Sequence, residues 1–87
     1  MRAVITVIGK DTVGILAMVS GICARHNANV IEVTQSVLQE FFAMVMLIDI
    51  SLMDCELSEL QKELRENKMG MTVHVMHEDI FNSMHRI

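Results

Sequence analysis

The stretch Ala3-Val4-Ile5-Thr6-Val7-Ile8-Gly9-Lys10-Asp11-Thr12-Val13-Gly14-Ile15-Leu16 decides the fold. Its first half, Ala3 to Ile8, is rich in β-branched residues and reads as a buried strand. Its second half opens a helical pattern, with Ile15, Leu16, Val19, Ile22 and Cys23 recurring on one face. A short turn bounded by Gly9 and Gly14 carries the chain straight from strand to helix. Asp11 or Thr12 is expected to cap that helix by accepting a backbone N–H of its first turn. Gly14 allows close approach to the backbone, and the free N–H groups of a helix start suit an anion such as a carboxylate. The plainer reading is that Asp11 only caps and Gly14 only permits a tight turn.

Working outward, the first helix is expected over Val13–His26, with a second face of small residues at Ala17, Ser20, Gly21 and Ala24. It ends in His26-Asn27-Ala28-Asn29, where asparagines suit a C-terminal turn. A second strand follows from Val30 to Leu38, with Ile31, Val33 and Val37 on one face and Glu32, Thr34 and Ser36 on the other. Gln39-Glu40 make a tight connection to a third strand, Phe41 to about Ser51. Both of its faces are apolar, so it is expected at the centre of the sheet and covered on both sides. Asp54 is expected to cap a second helix over Cys55–Asn67, with Leu57, Leu60 and Leu64 inward. Its charge run, Glu59 to Glu66, reads as a solvated surface. Gly70 closes a turn into a fourth strand, Met71–His77. Ile80, Phe81, Met84 and Ile87 then mark a short amphipathic tail helix, acidic at its start and basic at its end, over 78–87.

The element order is thus βαββαβ plus a tail helix, in one domain over 1–87. Such a chain is expected to be an α+β protein of ferredoxin-like type. It has a four-stranded antiparallel sheet of order 4-1-3-2, two helices on one face and a short C-terminal helix.

Composition narrows what this domain can do. The chain has 87 residues and a net charge of −4, which argues against nucleic acid as a partner. Aromatic residues are 3% of the total, leaving little for base stacking. No apolar run is long enough to span a bilayer, and the N-terminus runs straight into a strand with no sign of a signal peptide, so no membrane partner is expected. Cys23 and Cys55 lie far apart, outside any CxxC spacing, and read as small hydrophobes in a reducing, cytoplasmic setting. Hydrophobic residues are 52% and the mean hydropathy is +0.40, more apolar surface than a small core hides readily. Part of it is therefore expected to meet another subunit, an idea that nine methionines support.

Residues also exclude several chemistries that ride on this architecture. Phe41 and Phe42 are adjacent on one strand and the first strand has no aromatic, unlike an RNA-binding sheet. Gly9 to Gly14 holds no cysteine pair for a soft metal and no arginine to cradle phosphate. His74 and His77 are three apart on a strand and point to opposite faces; His77 and His85 meet only if the tail folds back. No metal ligand set, no cofactor and no catalytic nucleophile–base pair is expected.

Ile8-Gly9-Lys10-Asp11-Thr12-Val13-Gly14-Ile15, a following helix and Asn29-Val30 at the second strand together resemble an ACT domain across essentially the whole chain. The ending, His77-Glu78-Asp79-Ile80-Phe81 and Met84-His85-Arg86-Ile87, is similar to that of small stand-alone prokaryotic ACT proteins. The position before the glycine, proline in many ACT loops, is Val13 here. The resemblance implies a homodimeric regulatory module that binds a small effector, an amino acid, at the subunit interface. It carries the family's ligand contacts over to Asp11, Gly14 and Asn29. The N–H groups around Val13 to Ile15 suit the effector's carboxylate, and Asp11 or Asn29 its ammonium, so the ligand-binding set is Asp11, Thr12, Val13, Gly14, Ile15 and Asn29. Two dimer arrangements compete: edge pairing of the second strand with its copy, or packing of the reverse sheet face, with Thr6, Ile8, His74 and Met76, on its mate. The alternative function is a protein–protein interaction module that docks an unidentified protein and has no ligand.

Overall fold

A computed structural model describes residues 1–84. It contains β1 (Arg2–Lys10), α1 (Ile15–Arg25), β2 (Asn29–Leu38), β3 (Phe41–Asp49), α2 (Leu57–Arg65), β4 (Thr72–His77) and α3 (Glu78–Met84). The four strands form one antiparallel sheet in the order β2-β3-β1-β4, which is 4-1-3-2 when read from the β4 edge. Residues 85–87 of the expected tail helix, with His85 and the basic end, lie outside the described residues.

The core lies between one sheet face and the two longer helices. Alternate residues of β1 (Ala3, Ile5, Val7), β3 (Phe42, Met44, Met46, Ile48) and β4 (Val73, Val75) point into it. Ile15, Val19, Ile22 and Cys23 of α1 and Leu60 and Leu64 of α2 close it from above. The period of 2 in the strands and about 3.6 in the helices brings these sets together, and no charge is buried among the described residues. Burial also raises the Cys23 thiol to about 11, so it stays protonated and packs as a hydrophobe.

Several element ends differ from the sequence reading. β2 carries an irregularity between Val30 and Glu32, where the partner changes from Ile48 to Leu47. The bulge turns Ile31 out to 47% exposure and puts Val30, with Val33, against the core. Strict alternation, which set Ile31 on the same face as Val33, has no means of foreseeing the extra residue. α2 begins at Leu57, not Cys55, and its N-cap is Glu56 with no side-chain cap bond. Asp54 is drawn away from capping: its backbone N–H donates to the His26 carbonyl at 3.1 Å and its carboxylate meets the His26 ring.

β3 lies centrally, yet among the described residues its second face is covered only at one end. Phe41, Ala43 and Val45 remain exposed, while α3 folds back beneath the Val4 and Leu47 end. Val4 is 3% exposed although it points away from the main core. A bidentate pair ties α3 there, with Arg2 Nη2 donating to Glu78 Oε1 at 2.8 Å and Nε facing Glu78 Oε2.

This packing separates two leucines sharply. Leu64→Ala removes a fully buried side chain and is expected to cost about 2–5 kcal/mol. Leu52→Ala, at a position 78% exposed, should change stability by less than about 0.5 kcal/mol. Urea unfolding of both variants followed by circular dichroism measures the difference; equal midpoints would contradict the core described.

Candidate functional site

The turn from β1 to α1 forms the end of the molecule from which α1 starts. Gly14 is the N-cap of α1, with φ 92 and ψ 7, a left-handed conformation that favours glycine. A Cβ there would find only Met69 Cε, at 3.9 Å, so backbone geometry rather than space selects glycine. Neither Asp11 nor Thr12 caps: α1 has no side-chain cap bond, and the first intrahelical bond runs from Met18 N–H to the Gly14 carbonyl at 2.9 Å. The N–H groups of the first turn therefore have no intrahelical acceptor and point out of the helix end. Asp11 is instead fastened by its backbone, its N–H donating to the Glu40 carbonyl at 2.8 Å. The loop consequently abuts the 39–40 turn that joins β2 to β3. On its other flank lies a depression of about 440 Å³ lined by Lys10, Asp11, Thr12, Lys68 and Met69. Lys10 and Lys68 bring positive charge to this depression, with Asp11 on the same rim. Lys68 and Met69 come from the α2–β4 connection, which sequence reading treated as a plain turn.

Asn29 lies elsewhere. It opens β2 opposite Asp49, which pairs with Arg2, whereas Lys10 pairs with Phe41 and Phe41 with Leu38. Asp11 to Ile15 and Asn29 are thus at opposite ends of the sheet, separated by the length of β1, roughly 27 Å. Within one chain the structure brings Asp11, Thr12, Val13, Gly14 and Ile15 together and does not bring Asn29 to them. Asn29 is exposed there and lines a shallow hollow with Ala24, Asn27 and Ala28.

A second polar cluster, absent from the sequence reading, joins the end of α1 to α2. His26 Nδ1 lies 3.1 Å from Asp54 Oδ1 and its Nε2 2.9 Å from Glu63 Oε1. Glu63 also pairs with Arg25. Hydrogen bonds to Glu63 and then Asp54 raise the His26 pKa, and the bond from His26 lowers that of Glu63. The separation of these residues in sequence, with no short motif between them, hides the cluster until the helices are packed.

The comparisons with known proteins agree with this architecture. The family model for the ACT domain matches residues 2–76. A UPF0237 protein of Methanopyrus kandleri is 47% identical over 88 residues, covering 99% of this chain and 98% of its own. An ACT domain protein from Streptococcus pneumoniae superposes with a TM-score of 0.77 at 32% identity, covering 93% of each chain. A formyltetrahydrofolate deformylase from Pseudomonas syringae shares the fold, with a TM-score of 0.74 at 24% identity over 87% of this chain and 27% of its own. ACT domains are in general regulatory modules that bind small molecules. With a family match over most of its length and a relative of nearly equal extent, this chain belongs to the ACT domain family.

Proposed function

We propose that the chain is a homodimeric regulatory module that binds an amino acid between protomers and does no catalysis. The observation that carries this reading is the free edge of β2. Glu32 and Thr34 to Leu38 are exposed along it, and among the described residues only β3 pairs with it. A two-fold axis makes two such edges antiparallel. The bulge at Ile31 leaves Glu32 to Leu38 as the regular segment, centred on Gln35. Pairing about that centre sets Glu32 opposite the partner's Leu38. It carries the partner's Asn29 past Leu38 to the 39–40 turn, whose Glu40 holds Asp11. The two halves of the candidate site, parted within one chain, then meet across the interface.

In that pocket the α1 N-terminus around Val13 to Ile15 receives the effector carboxylate, with Lys10 and Lys68 on the loop's other flank. Asp11 and the partner's Asn29 accept from its ammonium. Thr12 lines the approach. Free thiols at Cys23 and Cys55 suit a reducing, cytoplasmic setting. Among the described residues no helix is long and apolar enough to cross a membrane.

Two measurements test this reading. Light scattering is expected to give twice the 9.8 kDa chain mass at micromolar concentration. Gln35→Lys, which sets like charges opposite one another at the two-fold centre, should raise the dimer dissociation constant by roughly five-fold. An unaffected dimer would place the interface elsewhere, and a monomer would remove it.

For the effector, a thermal-shift screen against the free amino acids should find a ligand. At a hundredfold excess over its Kd a ligand stabilises by about 2.7 kcal/mol, a rise on the order of 10 °C for a domain of this size. Substitution of Gly14 would mix backbone strain with lost binding, so Asn29→Ala is the cleaner variant. It should abolish the shift while leaving the ligand-free melting temperature unchanged, since Asn29 is exposed. A screen without any shift favours a ligand-free module that docks another protein.

A further inference from the structure

We propose that His26, Asp54 and Cys55 form a binding site for a divalent transition-metal ion of the zinc class. Their donor atoms, a ring nitrogen, a carboxylate oxygen and Sγ, all lie within 4.8 Å of one another. Among the described residues this is the one such group of three. Zn–N and Zn–O near 2.0 Å and Zn–S near 2.3 Å put tetrahedral donors roughly 3.3–3.7 Å apart. His26 Nδ1 and Asp54 Oδ1, hydrogen-bonded to each other at 3.1 Å, lie just inside that spacing, and Sγ, within 4.8 Å of both, has to close on them for an ion to be held.

The backbone fixes the three donors relative to one another. His26 is the C-cap of α1, with its N–H donating to the Cys23 carbonyl at 3.1 Å. Its own carbonyl accepts from Asp54 N–H at 3.1 Å, which clamps the loop carrying Asp54 and Cys55 to the end of the helix. Glu63 then takes the role that a carboxylate plays behind a metal-bound imidazole. It holds Nε2 at 2.9 Å, so that Nδ1 faces Asp54 and the cation position.

Charge and access agree with that assignment. Burial and then the negative charges of Asp54, Glu59, Glu63 and Glu56 raise the Cys55 thiol above its ordinary range, so an ion has to displace that proton, and the same carboxylates draw a dication to the site. A surface cleft of about 350 Å³, lined by Met53, Asp54, Cys55, Glu56 and Glu59, opens the site to solvent. It provides an entry path and leaves the fourth coordination position to water. A mixed nitrogen, oxygen and thiolate set selects a borderline ion such as Zn²⁺ or Co²⁺ over Mg²⁺ or Ca²⁺, which take oxygen. On binding, the metal replaces the Cys55 thiol proton and any proton on Nδ1, and both are released to solvent.

Cobalt(II) titration of the purified full chain, followed by absorption spectroscopy, tests the site. One equivalent per chain should produce a thiolate-to-cobalt charge-transfer band together with the intense visible bands of a tetrahedral ion, and zinc should bleach both. Cys55→Ser should remove the charge-transfer band. Asp54→Asn, at an exposed position, should weaken binding at least ten-fold without loss of fold. Glu63→Gln should weaken it by about 10–100-fold with the band retained, and circular dichroism confirms that each variant is folded. Cys23→Ala supplies the control, since that buried thiol lies in the core and the band should persist. A chain that binds neither ion, or a band that survives Cys55→Ser or disappears with Cys23→Ala, would overturn the proposal.

Discussion

Pairing of β1 with β3 in a single register is the constraint on which the other contacts depend. Ile5 stands opposite Met46 and Val7 opposite Met44, and all four are essentially inaccessible to water. A slip of one residue would turn this whole set to the reverse face, where neither long helix waits to cover it. The same register fixes the two ends of the molecule. One end gathers Lys10, Phe41, Leu38 and the Gly14 loop, and the other gathers Arg2, Asp49 and Asn29. The division of the candidate effector residues between two ends is therefore a direct consequence of how the core is buried.

Much of this frame was legible in the sequence, because burial imposes a period that can be counted. β1, β3 and the inward stripes of α1 and α2 follow from alternation and helical spacing. The element order then leaves few ways to cover a single sheet face. Boundaries were less legible where competing hydrogen bonds decide them. Asp54 has the composition of a helix cap, yet His26 captures both its carboxylate and its backbone N–H, so α2 starts two residues later than the cap rule suggests. Asp11 likewise loses its capping role because the chain enters α1 through a left-handed glycine. The bulge beside Ile31 was invisible for a different reason. It alters no residue type and shows itself only in the partner strand's register.

The candidate site was legible as chemistry but not as geometry. Gly14 and the first turn of α1 could be picked out because strand, glycine turn and helix are consecutive in the chain. That Asn29 lies at the far end of the sheet depends on two strand registers multiplied together, and neither is written in local sequence. Lys68 entered through a turn between elements that are distant in sequence from the loop it flanks. The His26 cluster is more extreme, since its members share no motif and meet only through helix packing.

The two faces of the sheet follow different rules, and this bears on assembly. The helix-covered face is a closed core of aliphatic and methionine side chains with Phe42 and Cys23, and among the described residues no charge is buried. On the reverse face α3 covers Val4 at one end, held by the Arg2–Glu78 pair. Ile8, Val45 and Phe41 stay exposed beyond it. With Leu38 and Ala43 they form an apolar strip interrupted by Thr6, Thr34, Ser36 and His74, whereas a long, regular strand edge presents N–H and C=O groups that require partners. The edge of β2 meets that description over Glu32 to Leu38, and the bulge at its start prevents the pairing from running on to Asn29. The proposed interface there would use backbone hydrogen bonds for strength and leave the Asn29 side chain to a ligand, which is the division of labour a shared effector site needs.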